Sequence, residues 1–280
     1  MWQPDGWSFR ARLGLLVPHA AIGAESELQA MAASAGGVSI HATRVPLGVM
    51  RAGGLMDPKI ALEPVRAFAD PPLVDDAAAL LAAAPLHAIG FGFTSSSYVR
   101  GAADDENLRQ RLEARTRGIP VAITSVSAVL ALRALEAQRI ALVDPPWFSP
   151  ELTALGVGYF RGQGFAIVHA APAGLPSEQL AINPGQLFAW ARDHVPSNAD
   201  AVYIGGNGLR AVGVIQALEE DLQIPVLTAN QVLFWHLLGL ARARGAINGY
   251  GRIFDQALPP LGKLGPIAGN PLPPVARALP

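Results

Sequence analysis

Four hydroxyl side chains stand in one run, Thr94-Ser95-Ser96-Ser97, followed at once by Tyr98 and then by Arg100-Gly101. Hydroxyls and turn amides gathered in one place can hold a carboxylate or an oxyanion. The same run would also serve as an ordinary helix cap. A second polar turn, Gly205-Gly206-Asn207-Gly208, lets backbone approach a ligand closely and is expected to open a helix at Leu209-Arg210. It is not a GxGxxG motif, and no acidic residue follows at the required distance, so no nucleotide cofactor is expected. His19, just after Pro18, could act as a general acid or base. Ser95, Ser96 or Ser125 could be a nucleophile if a base lies close, although neither GxSxG nor SxxK occurs.

Three further segments bear on a site. Asp144-Pro145-Pro146-Trp147 forms a rigid turn whose indole could wall a pocket. The loop Met50–Pro58 carries Gly53-Gly54 and reads as a flap or as a plain flexible loop. Glu25 reads as a helix-terminal charge. The remaining histidines (41, 87, 169, 194 and 236) make no HxH or HExxH pattern, so no metal is expected. Cysteine is absent, which excludes disulfides, thiolate metal sites and cysteine nucleophiles together.

The elements that must position these residues follow from the hydropathy pattern. Of 280 residues, 51% are hydrophobic and 15% charged, which fits a folded chain with a large core. The net charge of -1 leaves no basic surplus for nucleic acid. No uninterrupted apolar run reaches membrane-spanning length. The opening MWQPDGWSFRARLGLLVP makes a poor signal peptide and a good first strand, so the cytoplasm is the expected compartment. Strands are predicted at 13–17, 38–45, 88–93, 120–124, 140–143, 165–170, 201–204 and 226–228. Helices are predicted between them, among them 105–117, 127–137, 150–163 and 209–222. That alternation calls for parallel sheets with right-handed crossovers, covered on both faces.

The chain also repeats. GIPVAITSVSAVLALRAL at 118–135 parallels QIPVLTANQVLFWHLLGL at 223–240, each preceded by a charged helix and a strand ending in a polar turn. The expected fold is therefore α/β, with two pseudo-symmetric parallel-sheet domains and the site in the cleft between them. The first half should span residues 1–118, completed by 235–256. The second should span 119–234, and the Pro-rich stretch 257–280 should form an arm or tail.

Together, GLLVPHAAIGAESEL, GFTSSSYVRG, GIPVAITSVSAVLALRAL, IALVDPPW and VYIGGNGLR followed by IPVLTANQVLFW resemble the aspartate/glutamate racemase superfamily. The branch they are most similar to is that of the maleate cis–trans isomerases and arylmalonate decarboxylases. The resemblance implies a cofactor-free lyase or isomerase acting on a small carboxylate or carbonyl compound, with hydrolysis also open, and a possible homodimer. It would place the family's two thiols at Phe93 and Gly206. Arylmalonate decarboxylases keep the second of these; this chain has neither. Ala21 stands where the isomerases carry an asparagine, and the tyrosine after the fifth strand gives way near Pro145-Pro146.

What carries over is the carboxylate-holding part of the site. The resemblance matches Thr94, Ser95 and the amides around Gly206-Asn207 to the groups that would hold a substrate carboxylate, while His19, by its place at a strand end, and Ser95 are the candidate catalytic residues. Substrate contacts would come from Thr94, Ser96, Tyr98, Thr124, Ser125, Gly206, Asn207, Gly208 and Trp147. The alternative is a carboxylate-binding protein without catalysis.

Overall fold

The computed structural model describes Trp7, residues 10–243 and residues 245–257. From residue 258 onward the Pro-rich stretch lies outside the described residues. Eight strands fall where the hydropathy pattern puts them: β1 Ala11–Pro18, β2 Val38–Val45, β3 Ala88–Phe91, β4 Val121–Ile123, β5 Arg139–Asp144, β6 Ala166–Pro172, β7 Ala201–Ile204 and β8 Val226–Thr228. The helices are α1 Gly23–Ala35, α2 Leu62–Ala67, α3 Leu73–Leu81, α4 Thr94–Arg100, α5 Ala102–Arg115, α6 Thr124–Ala134, α7 Pro150–Gly162, α8 Pro184–His194, α9 Ile215–Leu222 and α10 Ala229–Leu240.

The strands form two four-stranded, wholly parallel sheets, in the orders β2-β1-β3-β4 and β6-β5-β7-β8. The second order is the first advanced by four, so the sequence repeat is also a repeat of topology. Burial differs between the two edges of each sheet: β4 and β8, though at edges, are buried throughout. The inner strands β3 and β7 are buried at every position, as strands covered on both faces must be. β2 and β6 lie at sheet edges, and only they carry largely half-buried positions along their length.

Local chemistry starts several helices. Thr228 and Gln231 form a reciprocal capping box at the start of α10. Ser149 and Asn183 cap α7 and α8, each with proline as the first helical residue. α4 departs from this. Its N-cap, Phe93, has no capping side chain, and the Thr94 N–H instead donates to Asn207 Oδ1 from the turn after β7 at 2.9 Å.

One expected helix start is corrected. The turn 205–208 does not open a helix at Leu209-Arg210. The chain runs inward, burying Leu209, Ala211 and Val212, and makes a single 3₁₀ turn at Val212–Val214 before α9 begins at Ile215. The cause lies far away in sequence. Glu27 of α1 accepts from the Ala211 and Val212 amides with one oxygen, at 2.6 and 3.0 Å. A carboxylate of the first sheet's helix layer thus supplies the partner that a local cap would have supplied.

The two sheets are joined through helices. α10 packs against α6 and against β3, and α4 packs against α7. Tyr98 of α4 makes ring contacts with Phe148, Tyr159 and Phe160. Lys59 Nζ donates to the carbonyls of Pro146 and Phe148 at 2.6 and 3.0 Å, tying the segment before α2 to the turn after β5. This packing brings together the segments that follow β1, β3, β5 and β7.

Candidate active site

A cleft lies where those segments converge. Pro18 and Ala21 line it after β1; Gly92, Phe93, Thr94 and Ser95 after β3; Trp147 and Phe148 after β5; and Gly206, Asn207 and Gly208 after β7. Its volume is about 40 Å³. The loop read as a flap covers one side. Met50 and Met56 pair in an isolated antiparallel bridge, Arg51 and Asp57 form an ion pair at 2.7 Å, and both methionines face the cleft. The walls are mostly apolar. Among the residues lining the cleft there is no acid, base, tyrosine or cation.

The expected site residues divide into two groups. Thr94, Ser95, Gly206, Asn207, Gly208 and Trp147 line the cleft. Ser96 turns back to the Phe93 carbonyl at 3.1 Å, and Ser125 donates to the Thr94 carbonyl at 3.2 Å, so both hydroxyls serve the backbone behind the wall. Thr124 donates to the Phe91 carbonyl at 2.8 Å. His19 is exposed and is not a lining residue. Its Nδ1 accepts from the Leu47 amide at 3.1 Å, which leaves the ring proton on Nε2 when the imidazole is neutral.

Tyr98 is buried behind the wall rather than in it. A Cβ at Gly205 would stand 3.3 Å from both the Tyr98 hydroxyl and Asp144 Oδ1, so these groups lie directly against that glycine. The Tyr98 hydroxyl has no hydrogen-bond partner among the described residues, and Thr153 beside Asp144 and Thr94 beside Tyr203 are the near polar groups, neither in good hydrogen-bond geometry. Burial pushes the Asp144 carboxyl up to about 7 and raises the Tyr98 and Tyr203 hydroxyls above their ordinary range. Nearby, Asp105 accepts from Ser97 and Tyr159 at 2.7 and 2.8 Å, and burial outweighs those bonds to bring it to about 7 as well.

Within the cleft wall the polar groups differ in how far they are engaged. Ser95 Oγ has no partner among the described residues, and the amides of Gly206, Asn207 and Gly208 have no acceptor among them. Asn207 is fully engaged. Its Oδ1 accepts from the Thr94 amide and hydroxyl, and its Nδ2 donates to Thr124 Oγ1 and Asn230 Oδ1. Asn230 in turn donates to Glu27 Oε2 at 2.7 Å. Burial raises the Glu27 carboxyl against the hydrogen bonds it accepts.

Sequence reading missed Glu27 and Asn230. The available signals were an asparagine at the head of the apolar run VLFW and a second acid in α1 two residues beyond Glu25, which pairs with Arg44. It also missed Gln179, which lines the cleft from the segment before α8.

The positions that the resemblance gives to thiols are both filled. Phe93 packs its ring 4.2 Å from that of Phe68. Gly206 has φ +82°, and a Cβ built there would lie 2.1 Å from Pro145 Cγ. The turn is thus built for glycine, with Pro145 in the space a side chain would need. Among the described residues no three His, Asp or Glu side chains gather as a metal-holding group. No described helix is long and apolar enough to cross a membrane.

Comparison with known proteins agrees with this architecture. A maleate isomerase from Nocardia farcinica is 28% identical over 252 residues, covering 88% of this chain and 96% of the relative. The solved structure of a maleate isomerase from Pseudomonas putida with maleate superimposes with a TM-score of 0.77 at 20% identity, over 88% of this chain and 98% of that one. A crystal structure of arylmalonate decarboxylase gives a TM-score of 0.69 at 21% identity, over 87% and 99%. At these identities the likeness to the solved structures is one of fold. The profile of the arylmalonate decarboxylase family matches residues 13–254, which takes in β1 from Leu13 onward, the other seven strands and all ten described α-helices. By that match the chain belongs to the arylmalonate decarboxylase family.

Proposed function

We propose that this chain is a cysteine-independent enzyme that acts on a small carboxylate or carbonyl substrate through an oxyanion-stabilised intermediate. The observation that carries the reading is the contrast within one cleft. Both thiol positions are filled, by Phe93 and by the Gly206–Pro145 contact, while Ser95 Oγ and the amides of 206–208 keep free donors. Donors fixed in a mostly apolar cleft favour a negative oxygen as it develops. Decarboxylation of an acid bearing a neighbouring carbonyl fits this best: the C–C bond to the carboxylate breaks, CO2 leaves, the electron pair passes to the carbonyl oxygen as an enolate held by those donors, and the carbon then takes a proton. Isomerisation through an enolate, or hydrolysis through a tetrahedral oxyanion, would place its negative oxygen against the same donors. With no titratable side chain lining the cleft, the proton comes from water at the mouth. His19, exposed beside the lining residue Pro18, exchanges protons with that water.

The absence of a titratable wall also supports a second reading, a carboxylate-binding protein without turnover. The two are separated by Ser95→Ala and His19→Ala. The enzyme reading expects each to lose turnover with the fold intact; turnover untouched by both sinks the proposed roles. The binding reading expects ligand-induced thermal stabilisation with no product.

A further inference from the structure

We infer that Asn207 is a specificity element. Its carboxamide fills one oxygen-binding position of the cleft as a built-in ligand, so the cleft selects a single carboxylate with an apolar remainder over a dicarboxylate. The inference rests on the proposed reading that the cleft receives a small carboxylate.

Two donors of Thr94, its amide at 2.9 Å and its hydroxyl at 2.8 Å, converge on one oxygen, Asn207 Oδ1. Two donors aimed at one oxygen form a site for a carbonyl or carboxylate. Here the chain's own amide sits in it. The orientation of that amide follows from its partners. A backbone N–H can only donate, so Oδ1 must face Thr94. Thr124 Oγ1 gives its proton to the Phe91 carbonyl, so it accepts from Nδ2 at 3.2 Å. Nδ2 also donates to Asn230 Oδ1 at 2.9 Å. All four hydrogen-bonding positions of the Asn207 side chain are filled.

The clamp extends to a fixed charge. Asn230 Nδ2 donates to Glu27 Oε2 at 2.7 Å and to the Asn207 carbonyl at 3.0 Å. Glu27 is held by the Ala211 and Val212 amides. Every member is buried. A ligand that displaced the carboxamide would break bonds at both of its ends, each worth roughly two- to tenfold in affinity. Asn207 therefore stays in place, and the ligand meets what remains: Ser95 Oγ, the amides of 206–208 and an apolar wall that includes Met50, Met56, Ile60, Trp147 and Phe148. No lysine, arginine or histidine lines the cleft to balance a second carboxylate.

The test uses butyrate and succinate, acids of equal chain length that differ by one carboxylate, in isothermal titration at fixed ionic strength. The native protein is expected to bind butyrate at least tenfold more tightly than succinate. Asn207→Gly frees the Thr94 donors and is expected to shift the succinate-to-butyrate affinity ratio at least tenfold toward succinate. Asn207→Ala, which keeps a stiffer turn, carries the same expectation should the glycine variant fold poorly. Equal binding of the two acids by the native protein, or a preference that neither variant changes, overturns the specificity role alone. Failure of either acid to bind any of the folded proteins overturns this role and the carboxylate reading together.

Discussion

Replacing Asp144 by asparagine should stabilise the protein at alkaline pH and leave it nearly unchanged at acid pH. Asp144 ends β5 at 0% exposure, and Thr153, which lies beside its carboxyl outside good hydrogen-bond geometry, offsets that burial only in part. Burial raises its carboxyl from an ordinary 3.8 to about 7. In the unfolded chain the group keeps its ordinary value. Between roughly pH 4 and pH 7 the native state therefore holds a proton that the unfolded state has released. Stability from this group is fully present below pH 4, falls as pH rises through 7, and is flat beyond. At about 1.4 kcal/mol for each tenfold change in proton affinity, the full effect is about 4 kcal/mol. Asparagine has the same shape and no charge to bury. About 1 kcal/mol of the full effect is already present at pH 4.5, where the unfolded group has lost most of its proton, so the gap between Asp144→Asn and the native protein should widen by about 3 kcal/mol between pH 4.5 and pH 8, or by about 8 °C in Tm for a chain of this size. Asp105 also titrates near 7, but that titration is common to both proteins and cancels in the difference. Urea unfolding at pH 4.5, 6 and 8, with the slope checked for constancy, measures the gap. A gap that stays the same at all three would refute the account of Asp144 as a neutral buried acid.

Other substitutions test other parts of the structure. Glu27→Ala orphans the Ala211 and Val212 amides and one end of Asn230, and should cost about 3 kcal/mol in urea unfolding. Gly206→Cys should not supply a working thiol. With φ +82° and Pro145 Cγ 2.1 Å from the new Cβ, it should cost at least about 2 kcal/mol, seen as a fall in Tm. Ser95→Ala removes a hydroxyl with no partner in the free protein, so stability should change by less than about 0.5 kcal/mol while carboxylate affinity falls about five- to tenfold in calorimetry.

The sheets were legible because β-branched and apolar runs buried on both faces leave a clear mark. All eight strands, and the repeat linking 118–135 to 223–240, could be read directly. Helix starts were legible where the cap is local, as at Ser149-Pro150. The start of α9 was not, because its partner, Glu27, stands far earlier in the chain. The same distinction holds in the cleft. Residue types at strand ends marked Thr94, Ser95, Asn207 and Trp147 as candidates, and they do line it. Which hydroxyls turn inward is decided by single hydrogen bonds, such as Ser125 to the Thr94 carbonyl, that leave no pattern in sequence. The turn at 205–208 was read for its amides, yet its asparagine side chain is itself the group held by Thr94. His19 was marked by its place after β1; that its Nδ1 is held by the Leu47 amide and its ring stands exposed beside the cleft lining depends on a contact from a distant loop that leaves no pattern in sequence.

The most direct measurement is proton NMR of the purified protein in deuterated water, with a panel of malonates, maleate, hydantoins and small lactones and amides. Thiol-free catalysis predicts deuterium incorporation or a new product from at least one compound, lost in Ser95→Ala. A panel without turnover, alongside a clear thermal shift with one acid, would contradict it and identify a binding protein.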